Sequence, residues 1–325
     1  MSNIRKIPAL MYTINHKHFE NGDLDKMLYA GITAFRINLG RTSAEDCNRM
    51  CEHLKNESTR LGMKVFIEID LPGAKARIVK GTKFLGITAN SACLSYNSDG
   101  DLCTDADWFI GSLRCEDVLQ IGRSGVQAKV VSLTQNQAEI SFVNSGEIKS
   151  RDSIKVVNRK PEVPLITQKD AELIKKISSF SFDCLAVSFA ESAHQIESVR
   201  KLLESQRGYA DVKIIAKIEN ITGIQRLEQI SAVADGILVG RGDLSEAIGM
   251  EQANSFIDKL LDQWTSPEKI LMLATYYFLD YLSGKGQVDP AMKKQESPYV
   301  NYFITDESSY NDWKKIYDVY SKGDF

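Results

Sequence analysis

The sequence predicts an α/β fold: a (β/α)8 TIM barrel with a small β-barrel-like domain inserted after the third strand. Three observations predict it. Eight near-continuous apolar runs of strand length recur along the 325 residues. Amphipathic helical patterns separate most of them, as expected for parallel strands buried on both faces. The alternation breaks once, over a stretch whose short strands and turn residues read as all-β.

The first three runs are IPALMYTI, ITAFRINL and MKVFIEID. INHKHFENG, after the first, reads as a polar loop carrying His16 and His18. Between the second and third lies SAEDCNRMCEHLKNESTRLG, with apolar residues at helical spacing. The break follows, containing NSDGDLC, SGVQAKVVSLTQNQAEISFVNSGEIKS and IKVVN. The chain re-enters the barrel through KPEVPLITQKDAELIKKI, where Thr167 is placed to cap a helix with Asp170 three residues on. Residues 1–73 and 161–325 are thus assigned to the barrel and 74–160 to the insertion. FDCLAVSF, VKIIAKIE, DGILVGRG, KILMLATY and YVNYFIT complete the strands, with the helical SAHQIESVRKLLESQRG after the first of them. Before the last run stands QVDPAMKKQESP, whose two prolines predict a truncated seventh helix.

Composition narrows the function classes. A hydrophobic fraction of 43% fills a sizeable core, and a net charge of −3 with interspersed signs offers no basic face to nucleic acid and no basic helix to a membrane. No apolar run approaches the roughly 20 residues a membrane span needs, and MSNIRKIPALMYT lacks a signal peptide's apolar region and cleavage site. The expectation is a cytoplasmic protein with small-molecule partners. Six cysteines without a CxxC pair read as reduced thiols, Cys47 and Cys51 sharing one helix face.

In barrels the reacting groups sit at the C-terminal ends of the strands. Those ends carry Arg36 and Asn38, Asp70, Ser188, Lys217 and Glu219, Asp243, Thr275, and Asp306 with Glu307. Strand alternation puts Lys217 and Glu219 on one side, and Gly242 lets the chain turn so that Asp243 approaches them. Two carboxylates are hard oxygen ligands for Mg2+ or Mn2+. A lysine beside them supplies a cation for an oxyanion or a transferring phosphoryl group.

AKIENITG, followed by ADGILVGRGDL, resembles pyruvate kinases, and AGITAFRINLG, FIEIDLPGAKAR, VLQIGRSGVQAKV, IKVVN and ILMLATYYFLDYL follow in that family's order. The resemblance covers nearly the whole chain, most specifically from Asp183 to Leu244. It implies that Lys217 stabilises enolate and phosphoryl charge, that Glu219 and Asp243 hold the divalent metal, and that Thr275 lies near the enolate carbon. It further implies phosphate or substrate contacts at Arg36, Arg77, Lys155, Ser188 and Gly242, and a monovalent cation, K+, at Asn38 and Asp70.

The departures are as specific. Gly40 and Leu71 stand where the family's serine and threonine complete the K+ site, which leaves K+ open, with Arg41 a substitute charge. LGRTS replaces a Ser-His-Gly pattern, TINHKH a Gly-Pro turn, and Glu191 an arginine. Asp152, Ser153 and Lys155 stand in place of a basic stretch. The chain as read ends at Phe325 without a segment resembling the family's C-terminal regulatory domain, so effector control through such a domain is not expected. Oligomeric state stays open, a homo-oligomer included.

Two enzymatic readings follow. One is a pyruvate kinase-like phosphotransferase acting on phosphoenolpyruvate with Mg2+ and a nucleoside diphosphate, its inserted domain serving the nucleotide. The other is a Mg2+-dependent 2-oxo acid lyase, aldolase or decarboxylase that uses the same enolate site without nucleotide. A non-catalytic metal- or ligand-binding regulator is a third, disfavoured by the cost of burying Lys217 with two carboxylates.

Overall fold

The computed structural model describes residues 9–80, 83–84, 91–96, 100–122, 125–206, 211–275, 300–305 and 313–322. Within strands and helices it leaves undescribed the side chains of residues 80, 83, 84, 275, 300, 303 and 319–322. Two compact units emerge, Met1–Pro72 with Glu172–Phe325, and Gly73–Ala171.

The first unit is the expected barrel. Its strands are β1 (Ala9–Ile14), β2 (Ala34–Asn38) and β3 (Phe66–Asp70). In the second unit lie β4 (Ile78–Lys80), β5 (Lys83–Phe84), β6 (Ser91–Tyr96), β7 (Leu102–Thr104), β8 (Val118–Ile121), β9 (Val126–Leu133), β10 (Gln137–Phe142), β11 (Gly146–Glu147) and β12 (Ile154–Val156). The barrel resumes with β13 (Cys184–Val187), β14 (Lys213–Ile218), β15 (Gly236–Val239), β16 (Ile270–Thr275) and β17 (Val300–Thr305). The closed order is β1-β17-β16-β15-β14-β13-β3-β2, parallel throughout.

Alternation along each strand sends one set of side chains inward. Met11, Ala34, Cys184, Ala186, Ile215, Leu238, Met272 and Ile304 pack there, with Phe66 stacked on Tyr302 at 4.9 Å between centroids. Closure between the first and last strands is tied by two threonines. The Thr13 amide donates to Thr305 Oγ1 at 3.0 Å, and the Thr13 hydroxyl donates to the Thr305 carbonyl at 2.6 Å.

At the opposite end, side chains preceding or opening one strand satisfy the second amide of its neighbour. Asp183 accepts from the Ile67 amide and from Lys55, each at 2.8 Å. Asp235 accepts from the Ile214 amide at 2.8 Å and Arg200 at 2.9 Å, and Asn301 accepts from the Leu271 amide at 2.8 Å. These pairings fix register where one slipped residue would turn every strand side chain inside out.

The helices start on side-chain caps. Ser43 accepts from the Asp46 amide at 3.0 Å at the head of helix Ala44–Arg60, and Ser192 from Gln195 at 3.1 Å at the head of Ala193–Glu204. Thr167 accepts from the Asp170 amide at 3.0 Å, as its spacing predicts, opening helix Gln168–Lys176. One expectation is corrected: His16 and His18 belong to helix His16–Glu20, not a polar loop. Asn15 accepts from the Lys17 amide, His18 reaches back to the Asn15 amide at 3.2 Å, and this reciprocal cap buries His18.

All six cysteines are free thiols, and Cys47 and Cys51 lie together on the buried face of helix Ala44–Arg60. The second unit is a seven-stranded sheet, β12-β8-β9-β10-β6-β7-β4, with a small β11-β5 pair. It has its own core, including Ile78, Leu94, Phe109, Leu119, Ile140 and Ile154. The expected truncated seventh helix, in residues 276–299, lies outside the described residues, as do Asp306 and Glu307.

Candidate active site

Lys217 is the centre of a buried ion network. It sits at the end of β14, is 6% exposed, and aims its ammonium at three acceptors. Nζ lies 2.8 Å from Ser188 Oγ, 2.9 Å from Asp70 Oδ1 and 3.2 Å from Glu219 Oε1. Ser188 in turn donates to Asp70 Oδ1 at 3.3 Å, and Arg36 Nη2 is bonded to Asp70 Oδ2. Strand register explains the meeting: Arg36 pairs with Glu68 and Asn38 with Asp70 across β2 and β3, so the inward side chains of adjacent strands fall in common layers.

Burial and neighbouring charge pull these groups apart. Burial alone would depress Lys217, but Asp70 and Glu219 outweigh it and hold its ammonium above the ordinary lysine range. Burial would raise Asp70, but Arg36 and Lys217 reverse that and leave it below the ordinary carboxylate range. Glu219 moves upward through burial, with Asp243 adding like-charge repulsion against the pull of Lys217. One strand end therefore carries a fixed ammonium beside a carboxyl under electrostatic strain.

Glu219 is placed by two backbone features. Phe189, at φ 52, adopts the left-handed conformation that non-glycine residues rarely occupy, and its amide donates to Glu219 Oε2 at 2.9 Å. A Cβ on Gly240 would stand 2.5 Å from Glu219 Cγ, so glycine there makes the room. The turn toward Asp243 was expected at Gly242. Instead Gly240 precedes helix Arg241–Ile248, and Gly242 and Asp243 lie in its first turn. Asn220 caps the following short helix by accepting from the Gly223 amide at 2.9 Å, and it also donates to Glu191 Oε1 at 2.9 Å.

The donor set suits one hard divalent cation. Glu219 and the partly buried Asp243 repel each other, and a cation between them would relieve both. Among the described residues there is no group of three or more His, Cys, Asp or Glu that could hold a metal ion. The monovalent set does not fit. Asn38 Oδ1 accepts from the Gly40 amide at 2.8 Å, Asp70 faces two cations, and Gly40 and Leu71 offer no side-chain oxygen.

Arg77 and Lys155 belong to the second unit. There Arg77 bridges to Ser153 and donates to the Arg151 carbonyl at 3.3 Å, while Lys155 lies on β12 opposite Gln120. Thr275 ends β16, and its side chain is outside the described residues. Arg41 is exposed, and the guanidinium at Asp70 is that of Arg36.

Sequence reading missed Glu68 and Thr13. Glu68 is 0% exposed, its Oε1 lies 3.4 Å from Arg36 Nε, and burial pushes its carboxyl up to about 7 against the opposing pull of Arg36. Thr13 accepts from Arg36 Nη1 at 3.2 Å. The signal for Glu68 was present: FIEID sets two acids two residues apart in an apolar strand, the same pattern as Lys217 and Glu219.

The family model for the pyruvate kinase barrel domain matches residues 6–286. The chain belongs to the pyruvate kinase family. It is 25% identical over 254 residues to the pyruvate kinase of Aeropyrum pernix, an alignment covering 78% of this chain and 55% of that protein. To the pyruvate kinase of Chlamydia trachomatis serovar L2 it is 30% identical over 242 residues, covering 68% of this chain and 47% of the relative. The chain spans about half the length of the curated pyruvate kinases it matches. A crystal structure of a pyruvate kinase from Cryptosporidium parvum superimposes with a TM-score of 0.72 at 17% identity, covering 96% of this chain and 68% of that one, a likeness of fold. No helix among the described residues is long and apolar enough to cross a membrane.

Proposed function

We propose that this pyruvate kinase family member is a phosphotransferase that moves the phosphoryl group of phosphoenolpyruvate to a nucleoside diphosphate. Cleavage of the enol C–O–P linkage leaves the oxygen electrons on an enolate, and protonation of its methylene carbon gives pyruvate. The observation that carries the reading is the Lys217 ammonium fixed by Ser188, Asp70 and Glu219 at a barrel strand end. Held there, Lys217 stabilises charge on the enolate oxygen and the departing phosphoryl group with no reorganisation at the moment of reaction.

Glu219 and Asp243 would hold Mg2+ or Mn2+, which supplies Lewis-acid charge stabilisation when bound. Asp70 keeps Lys217 protonated and oriented. Arg36, Gly242, Ser188, Arg77 and Lys155 are assigned to substrate or phosphate contacts, and Thr275 to protonation of the enolate carbon. The reaction is tested by 31P NMR of phosphoenolpyruvate with Mg2+ and a panel of nucleoside diphosphates. Growth of a nucleoside triphosphate signal supports the reading and names the acceptor; an unchanged phosphoenolpyruvate signal with every nucleotide refutes it.

The second reading, a nucleotide-free lyase, aldolase or decarboxylase of 2-oxo acids, is favoured by where the close contacts lie. Lys217, Glu219, Asp70 and Ser188 are assigned to the enolate side, whereas the first-strand exit, where TINHKH replaces the family's Gly-Pro turn, forms helix His16–Glu20. Metal-dependent exchange of pyruvate methyl protons in D2O, without nucleotide, tests that half of the chemistry alone.

A further inference from the structure

Glu68 has no part in the reaction as assigned, yet its placement works against stability. Its side chain is 0% exposed, and neither carboxyl oxygen receives a hydrogen bond among the described residues. Cys184 stands opposite it across β3 and β13, with Ala34 one layer below on β2 and Ala186 one layer above on β13. All three are small, so an apolar side chain would fill the same space without burying a polar group. An acid in that position needs a task that an apolar residue cannot perform.

Its ion-pair partner is Arg36, and the register between them is specific. Arg36 stands opposite Glu68, and two residues on Asn38 stands opposite Asp70. The Arg36 side chain climbs between those two levels: Nε lies 3.4 Å from Glu68 Oε1, Nη2 is bonded to Asp70 Oδ2, and Nη1 donates to Thr13 Oγ1 at 3.2 Å. Asp70 and Thr13 thus act on the outer nitrogens, and Asp70 is shared with Lys217 and Ser188. A planar guanidinium held by its outer end alone can pivot between those partners. A contact at Nε supplies the third point that fixes its plane.

We propose that Glu68 is a positioning residue for Arg36: its carboxyl steadies the Nε edge, so that the Nη groups meet the phosphoryl group of the substrate in one orientation. This rests on the reading given under Proposed function, in which Arg36 touches phosphate. Glu68 acts through Arg36 and touches no reacting atom, since it lies one layer below Asp70. The acceptor oxygen it offers Nε is present whether or not the carboxyl holds a proton. A glutamine amide offers the same oxygen, whereas a hydrocarbon of similar size offers none.

The test compares wild type, Glu68→Gln and Glu68→Leu as full chains at pH 6, below the value of about 7 to which burial pushes this carboxyl, so that wild type and Glu68→Gln carry the same charge there. The first readout is the 15N order parameter of Arg36 Nε–H in ligand-free, arginine-labelled protein, the signal being identified by its absence in Arg36→Lys. It should be equal in wild type and Glu68→Gln and lower in Glu68→Leu. The second is calorimetric titration with phosphoenolpyruvate in the presence of Mg2+. Glu68→Gln should bind as wild type does, and Glu68→Leu about tenfold more weakly through misplacement of Arg36, although its urea midpoint is equal or higher. A merely structural role would leave the affinity of Glu68→Leu unchanged. Should Glu68→Leu not fold, Glu68→Met, equally apolar and more pliant, carries the same expectations. A wild-type order parameter or a wild-type affinity in the apolar variant, or equal losses in Glu68→Gln, overturns the proposal. If phosphoenolpyruvate binds none of the proteins, the assigned substrate fails, and the order parameters alone decide whether Glu68 positions Arg36.

Discussion

Lys217 and Asp70 meet at 2.9 Å across β13, the strand that separates theirs in the barrel. Both are nearly inaccessible, so neither charge is tolerable without the other. Ser188, just past the end of the intervening strand, closes the gap by accepting from Lys217 and donating to Asp70.

Asp70→Asn keeps the shape and removes the charge that both Lys217 and Arg36 face. Removing the carboxylate that two buried cations share, which leaves Lys217 to Glu219 and Arg36 to Glu68, should cost about 3 kcal/mol of stability, read as a lower urea midpoint with an unchanged slope. An unchanged midpoint would show that the network is not buried as described.

Glu68 gives a pH signature. Its folded pKa is about 7, above the ordinary glutamate range, so between about pH 4.3 and 7 the folded state keeps a proton that the unfolded chain has lost. Stability should therefore fall as pH rises through that window, by up to about 3 kcal/mol from this group. Glu68→Gln should flatten the slope in urea unfolding measured from pH 5 to 8; a slope identical to wild type would assign the dependence elsewhere.

Gly240→Ala would push a methyl group to within 2.5 Å of Glu219 Cγ. Displacing Glu219 should cost about 1–3 kcal/mol of stability by overpacking. It should also weaken Mn2+ binding, followed by electron paramagnetic resonance. Wild-type Mn2+ affinity in this variant would separate Glu219 from the metal.

Asp235→Ala acts at the other end of the barrel, where it leaves the Ile214 amide and Arg200 without their shared acceptor. A loss of about 1–3 kcal/mol is expected with kcat and KM unchanged, because that face sets register and not chemistry. A changed kcat at full folding would contradict the division between the two ends.

The strands and the Lys217, Glu219, Asp70 and Ser188 cluster were legible because both depend on period: apolar runs fix strands, and two-residue spacing fixes which polar ends share a side. Glu68 carried the same spacing but lay one layer below the strand end, where an apolar core residue is the default. Helix His16–Glu20 was missed because its stability comes from a local cap by Asn15, not from an apolar stripe. The Phe189 amide and the placement of Gly240 before Gly242 depend on backbone dihedrals, which spacing does not carry.

The most direct test of the central claim is pyruvate formation from phosphoenolpyruvate with Mg2+ and a nucleoside diphosphate, comparing wild type with Lys217→Met. Nucleotide-dependent pyruvate from wild type that falls by about 10³ or more in the variant is the predicted result. Pyruvate formed by Lys217→Met at the wild-type rate would contradict it.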